Sequence, residues 1–140
     1  MPQAIKRTFL DTNVLVAAFH HDRLLHERAV ELLGDESRDF LASSLVELDL
    51  TQPQYNPRHK EEADFYLDYL RNVVGERIEV NEKLIAIALD IVRQSGSAAM
   101  DALHLACAFS LGADILITAE RKSSPMYREL RVPVLYLGDF

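Results

Sequence analysis

Residues 112–120 read GADILITAE: a glycine, a short apolar run and then an acidic residue. The preceding stretch, Ala99–Leu111, is mostly apolar and predicts a helix that ends at Gly112. The run Ile115–Ile117 is typical of a central strand that is buried on both faces. Glu120 comes three residues after this run, so we expect it at the carboxyl end of the strand.

The same alternation of helix and strand extends along the whole chain. Strands that alternate with helices indicate right-handed crossovers and a parallel sheet covered on both faces. We therefore expect one domain over residues 1–140, a three-layer α/β/α fold with a mostly parallel, roughly five-stranded sheet. The other predicted strands are Ile5–Leu10, Asp39–Ala42, Arg77–Val80 and Val132–Leu137. The other predicted helices are Val14–His20, His21–Leu33, one from about Leu45, Arg58–Val74 and Glu82–Gln94.

Composition excludes several classes of protein. The chain has 140 residues and one cysteine, Cys107, which excludes an intrachain disulfide and a zinc knuckle. Its 15 basic and 22 acidic residues give a net charge of -7, unlike a simple nucleic-acid coat or a polybasic membrane binder. Neither a signal peptide nor an apolar run of about 18 residues is visible. We therefore expect a cytoplasmic protein that does not enter a membrane.

Four acidic residues occupy positions that converge in such a fold. Asp11 follows the first strand and Glu120 the apolar strand, while Asp49 and Asp101 lie early in two helices. Ligands of parallel α/β sheets bind outside the carboxyl ends of the strands, so the four acids can face one cleft. Gathered carboxylates repel one another, and a hard cation such as Mg²⁺ or Mn²⁺ relieves that repulsion. The pattern predicts metal-assisted phosphodiester hydrolysis.

Each acid also has a purely structural explanation. Asp11 can be a helix N-cap, and Asp101 can complement the positive end of its helix. Asp49 and Glu120 can be solvated surface residues. The occurrence of all four at converging positions favours the metal site.

Three segments of the chain resemble the PIN domain, the metal-dependent ribonuclease fold of VapC-type toxins. They are FLDTNVL at residues 9–15, MDALHLA at residues 100–106 and GADILITAE at residues 112–120. The resemblance implies an endoribonuclease that hydrolyses RNA phosphodiesters with a metal-activated water, using Mg²⁺ or Mn²⁺. It also implies the toxin of a type II toxin-antitoxin pair, with a small antitoxin as partner and a homodimeric assembly.

Carried over residue by residue, the resemblance assigns Asp11, Asp49, Asp101 and Glu120 to the catalytic metal site. Asn13 would support Asp11, and Thr118 would orient a metal-bound water or Glu120. The family usually has Glu as its second acid and Asp as its fourth. Glu47 is therefore the alternate second acid, although counting from the serines at 43 and 44 favours Asp49. Glu47 and Asp49 are two residues apart, so on a helix their side chains point in directions about 200° apart. Only one of them can therefore face the site.

Other polar and aromatic residues have two interpretations each. Residues 121–131 carry a net charge of +3, which makes Arg121, Lys122 and Arg128 candidates for contact with RNA phosphates, or else part of a solvated loop. His104 is either a satisfied, partly buried side chain or a partner of the Asp101 carboxylate. Tyr66 and Tyr69 can form a base-stacking platform, or they can belong to the core or to a dimer surface. We expect the remaining histidines of the first helices to be solvated, namely His20, His21 and His26.

Two other functions remain open at this point. A PIN-like chain can be a catalytically weak or inactive protein-interaction scaffold. A receiver-like signalling module fits the length, but it needs an acidic pair after the first strand and a lysine near the last strand. Here the first strand is followed by Asp11-Thr12-Asn13, and residues 131–140 contain no lysine.

Overall fold

The computed structural model describes residues 6–56 and 60–140. Its sheet has five strands in the order β3-β2-β1-β4-β5, and every pairing is parallel. This confirms the predicted architecture. The strands are β1 Lys6–Leu10, β2 Arg38–Ser43, β3 Glu76–Ile78, β4 Ile115–Thr118 and β5 Val134–Tyr136.

Six α-helices connect these strands. The crossovers from β1 to β2 and from β2 to β3 run in one direction across the sheet, and the crossover from β3 to β4 runs back. Because parallel crossovers are right-handed, the first four helices and the last two cover opposite faces. The helices are α1 Thr12–Phe19, α2 His26–Leu33, α3 Ser44–Leu50, α4 Lys60–Val73, α5 Glu82–Ser95 and α6 Ala99–Ser110. The predicted starts of β1 at Ile5 and of α4 at Arg58 lie outside the described residues.

The direction of the strand order reverses at β1, between β2 and β4. Phe9 and Leu10 of β1 and Leu116 and Ile117 of β4 are completely buried, as expected for central strands. Leu10 is paired with Ile117, and the backbone N–H of Asp11 donates to the Ile117 carbonyl at 3.1 Å. The residues that follow these two strands are therefore neighbours at the switch point, where open parallel sheets bind ligands.

The predicted helix His21–Leu33 is wrong in its first turn, because the helix begins at His26. Between α1 and α2 the chain turns, with the N–H of Arg23 donating to the His20 carbonyl and the N–H of His26 donating to the Arg23 carbonyl. Leu24 is 95% exposed, so it does not extend the apolar face of α2.

A hydroxyl-rich turn places α6, the helix that carries Asp101. Gly96 ends α5 with a φ of 76°, a conformation that favours glycine. The Ser95 hydroxyl donates to the Ile91 carbonyl at 2.8 Å and lies 2.7 Å from the hydroxyl of Ser97. Both serines are buried, so these bonds fix the start of α6 against the end of α5.

Within the described residues, none of the helices is long and apolar enough to cross a membrane.

Candidate active site

Asp11 is the most firmly held of the four acids. It is the N-cap of α1, where its Oδ1 accepts the backbone N–H of Thr12 at 2.8 Å. Its Oδ2 accepts the hydroxyl of Thr118 at 2.8 Å, and the residue is 4% exposed. The structural role expected of an N-cap is therefore present, and it orients the carboxylate at the carboxyl edge of β1.

Thr118 and Asn13 join the ends of β1 and β4. The Thr118 hydroxyl, which donates to Asp11, also accepts the backbone N–H of Glu120 at 3.1 Å. Oδ1 of Asn13 accepts the N–H of Ala119 at 2.9 Å, and its Nδ2 lies 3.4 Å from the Thr118 Oγ1. Both predicted supporting residues thus lie beside the acids. The contacts of Asn13 are with the segment that carries Glu120, rather than with the Asp11 carboxylate.

Asp49 and Glu47 point in different directions from α3. Glu47 accepts hydrogen bonds from Arg77 at 2.8 and 3.3 Å and lies 3.6 Å from a guanidinium nitrogen of Arg71. Asp49 Oδ2 instead lies 3.8 Å from Nε2 of His104. The structure therefore separates the two candidates as expected, with Asp49 on the side of Asp11 and Glu47 engaged in an ion-pair network near β3.

His104 lies between two of the acids. Its Nε2 is 3.7 Å from Asp11 Oδ1 and 3.8 Å from Asp49 Oδ2, and the residue is 2% exposed. Burial lowers the pKa of His104, but Asp49, Asp11 and Asp101 raise it more, so the net pKa is above the ordinary value. Sequence spacing on the helix suggested Asp101 as its partner, whereas the close contacts are with acids from other elements.

His104 in turn changes the pKa of Asp49. The neighbouring His104 imidazole, 3.8 Å away, holds the pKa of Asp49 below its usual value, against the opposing effect of burial. The hydrogen bond from Gln52 acts in the same direction as His104. Nε2 of Gln52 contacts Asp49 Oδ1 directly and also donates to the Asp49 carbonyl at 3.1 Å. The sequence did not single out Gln52, which lies just beyond the end of α3; a glutamine three residues after a helical acid is the signal that could have found it.

The charges of the other three acids affect the pKa of Asp101. Burial raises its pKa, and the charges of Asp11, Glu120 and Asp49 raise it further, to about 6, although His104 opposes them. Carboxylates from four separate segments therefore share one electrostatic environment. Their mutual repulsion is the property that a bound cation would relieve.

Glu120 lies just beyond β4, and its backbone is held by its neighbours. The Tyr127 hydroxyl donates to the Glu120 carbonyl at 2.6 Å. Burial raises the pKa of Tyr127 to about 12, and the charges of Glu120 and Asp11 contribute to the rise. Tyr127 could not be found from the sequence, since a tyrosine seven residues after an acid in a loop forms no recognisable pattern.

The donor set fits a hard divalent cation in chemistry and in charge, because oxygen ligands are what Mg²⁺ and Mn²⁺ prefer. In the described ranges 6–56 and 60–140, no three His, Cys, Asp or Glu side chains stand together as a ready-made coordination sphere.

The basic candidates differ in what they contact. Lys122 Nζ forms an ion pair with Asp139 at 2.8 Å. Arg121 and Arg128 are exposed and form no ion pair with any residue of the described part of the chain. These two arginines therefore present free guanidinium groups close in sequence to Glu120.

Several other candidates lie outside the cleft. The expectation of solvated histidines is wrong for His20 and His26, which are half-buried and hydrogen bond to the carbonyls of Tyr55 and Ala17, each at 2.9 Å. Tyr66 is a core residue, stacked on Phe19 with ring centroids 4.4 Å apart. Its position favours the core interpretation over a base-stacking platform.

The PIN domain family matches residues 8–128 of this chain, and the chain belongs to that family. This confirms the resemblance seen in the sequence. No curated protein matches the chain.

Solved structures share the fold at low identity. VapBC2 from Rickettsia felis, bound to a promoter DNA fragment, matches with a TM-score of 0.69 and 21% identity, covering 93% of this chain and 98% of that one. VapC20 from Mycobacterium tuberculosis, a toxin that cleaves the sarcin-ricin loop, has a TM-score of 0.69 and 17% identity, covering 90% and 98%. VapBC-1 from nontypeable Haemophilus influenzae has a TM-score of 0.66 and 17% identity, covering 94% and 98%.

Proposed function

We propose that this protein is a Mg²⁺- or Mn²⁺-dependent endoribonuclease. The observation that carries the proposal is the convergence of acids at the switch point, where Asp11 and Asp49 lie 3.7 and 3.8 Å from the same Nε2 of His104. Burial, together with the charges of Asp11, Glu120 and Asp49, raises the pKa of Asp101 to about 6, which places Asp101 in the same cluster. Membership of the PIN family, and the structural neighbour that is an RNA-cleaving toxin, support the same function.

The proposed roles follow from the contacts of each acid. Asp11 is oriented by the Thr12 N–H and the Thr118 hydroxyl, so that its carboxylate would be a metal ligand at the carboxyl edge of β1. Asp49, Asp101 and Glu120 complete the oxygen donor set from three other segments. When bound, a divalent cation lowers the pKa of a coordinated water and neutralises charge that develops on the phosphodiester.

The acidic total of the chain is compatible with a polyanionic substrate. A cation held by the four acids offsets their charge, and the free guanidinium groups of Arg121 and Arg128 lie on the segment that follows Glu120. Arginine suits phosphate because its planar group can donate two parallel hydrogen bonds. We therefore assign Arg121 and Arg128 to the RNA backbone, with Lys122 in a lesser role because Asp139 engages it.

The experiment is cleavage of end-labelled RNA by the purified chain in the presence of Mn²⁺. Wild type should cleave the RNA, and Asp11→Asn, prepared in the same way, should be at least about 100-fold slower. Equal rates for the two proteins would show that the activity does not come from this site.

The competing function is an inactive interaction scaffold, which the spread of the acids leaves open. A site that binds Mn²⁺ raises the melting temperature by mass action, whereas a scaffold without the site shows no shift at millimolar Mn²⁺. Asp11→Asn distinguishes specific from adventitious binding, because a shift that persists in this variant comes from elsewhere.

We further propose that residues 1–140 form one PIN-like domain, that the protein is cytoplasmic and homodimeric, and that it is the toxin of a toxin-antitoxin pair. The neighbours from VapBC pairs support the antitoxin partner. Co-expression with the product of the adjacent open reading frame tests this: a stable complex that suppresses RNA cleavage is expected, and unchanged cleavage would contradict the antitoxin assignment.

A further inference from the structure

Glu120 lies where the chain has left the sheet. Strand β4 ends at Thr118, and the next regular element is the 3₁₀ turn Pro125–Arg128. The backbone of Glu120 is therefore not held by a ladder of strand hydrogen bonds. Its position depends on other contacts.

Side chains supply those contacts on both sides of Glu120. The N–H groups of Ala119 and Glu120 donate to Asn13 and Thr118, at 2.9 and 3.1 Å. The Glu120 carbonyl accepts the hydroxyl of Tyr127 at 2.6 Å. We call these three side chains, Asn13, Thr118 and Tyr127, the Glu120 clamp.

Tyr127 is itself well anchored. It lies in a 3₁₀ turn that is capped by Ser124, the Oγ of which accepts the N–H of Met126 at 3.4 Å. Met126 is completely buried and fixes the turn to the core. A donor on such a turn can hold the Glu120 carbonyl with little loss of entropy.

A fixed backbone matters more for a glutamate than for an aspartate. The Glu side chain has one more rotatable bond, so a larger entropy must be lost to place its carboxylate beside the other acids. This requirement applies to Glu120, whose carboxylate is one rotatable bond further from the backbone than that of Asp11 or Asp49.

We propose that Tyr127 is a positioning residue for Glu120, which it acts on through the backbone carbonyl. This inference rests on the proposed function, since it concerns one of the proposed metal ligands. Tyr127 does not touch the RNA or the cation in this role. Its hydroxyl limits the directions from which the Glu120 carboxylate can reach the cation.

The test is a double-mutant cycle on Mn²⁺ affinity with wild type, Tyr127→Phe, Glu120→Gln and the double variant. Tyr127→Phe removes only the hydroxyl. In the wild-type background, Tyr127→Phe should weaken Mn²⁺ binding about two- to tenfold, which is the effect of one lost hydrogen bond. In the Glu120→Gln background, the same change should cause no further weakening. Equal weakening in both backgrounds, or no weakening in either, would overturn the proposal.

The matched control is Tyr136→Phe. Tyr136 lies on β5, and its hydroxyl has no hydrogen-bond partner among residues 6–56 and 60–140. Its removal should leave Mn²⁺ affinity unchanged.

Amide hydrogen exchange of residues 119–121 without metal gives an independent readout of the clamp. Exchange should be faster in Tyr127→Phe than in wild type or Tyr136→Phe, and equal exchange in all three proteins would overturn the proposal. A wild-type chain that bound no Mn²⁺ would count against the proposed function, and the exchange result would then still decide whether Tyr127 holds Glu120.

Discussion

Nε2 of His104 lies 3.7 Å from Oδ1 of Asp11, and both residues are almost completely buried. A buried carboxylate needs a compensating partner, because water is not available to solvate its charge. Burial lowers the pKa of His104, but the neighbouring acids Asp49, Asp11 and Asp101 raise it above its ordinary value. His104 thus stabilises the charges of the two acids that it contacts, Asp11 and Asp49.

We predict that His104→Leu lowers the free energy of unfolding by about 2 kcal/mol, the scale of a lost charge-assisted contact. The native pKa of His104 is above its ordinary value of 6.5, so its stabilisation is fully present below about pH 6.5 and is lost as the pH rises through the native pKa. Urea denaturation at pH 6 and pH 9 measures the effect, and an equal loss at both pH values would contradict this explanation.

Asp101→Asn should stabilise the metal-free protein. The native pKa of Asp101 is about 6, above the ordinary value for Asp, so folding becomes less favourable as the pH rises from about 4 to about 6. The amide has no charge to desolvate, and we expect a melting temperature a few degrees higher at pH 7 in EDTA. The same variant should lose the stabilisation by Mn²⁺. A metal-free variant that melts at a lower temperature than wild type would contradict the repulsion among the acids.

Asp49 and Glu47 form a matched pair on the same helix. Asp49→Asn should reduce Mn²⁺-dependent RNA cleavage by about 100-fold or more. Glu47→Gln should keep cleavage within about twofold of wild type and lower the unfolding free energy by up to about 1 kcal/mol, because it breaks partly exposed ion pairs with Arg77 and Arg71. Initial rates and urea curves for both variants test this, and the reverse ranking of the two rates would make Glu47 the second acid.

Arg121→Ala and Arg128→Ala should each weaken RNA binding and lower the salt dependence of the affinity. For single-stranded RNA, the slope of log K against log salt falls by about 0.7 for each phosphate contact that is lost. Arg131→Ala is the control, since Arg131 contacts Glu129 and Asp90. If the slope of log K against log salt is unchanged in all three variants, Arg121 and Arg128 do not contact RNA phosphates.

The architecture and the acidic edge followed from the sequence because both depend on regular patterns. The alternation of apolar strands and amphipathic helices gave the parallel sheet, and parallel strands bring residues after their carboxyl ends together. Asp11 and Thr118 meet for this reason, as neighbours of the paired residues Leu10 and Ile117.

The contacts that complete the site depend on the path of the chain between regular elements. The partners of His104 are Asp11, which follows β1, and Asp49 of α3, and spacing along α6 alone does not show them. Tyr127 reaches Glu120 through an irregular turn without periodicity. The late start of α2 could not be predicted from spacing either. Leu24 has the spacing of an inward-facing helical residue, but it is exposed and lies before the helix begins.

The central claim is that the four acids form a cation-dependent ribonuclease site. Its most direct test is one time course of labelled-RNA cleavage in Mn²⁺, interrupted by EDTA and restarted by excess Mn²⁺, with Asp11→Asn run in parallel. The claim predicts cleavage that stops with EDTA and resumes with Mn²⁺ in wild type, and little or none in the variant. Cleavage that continues in EDTA, or that proceeds equally in Asp11→Asn, would contradict it.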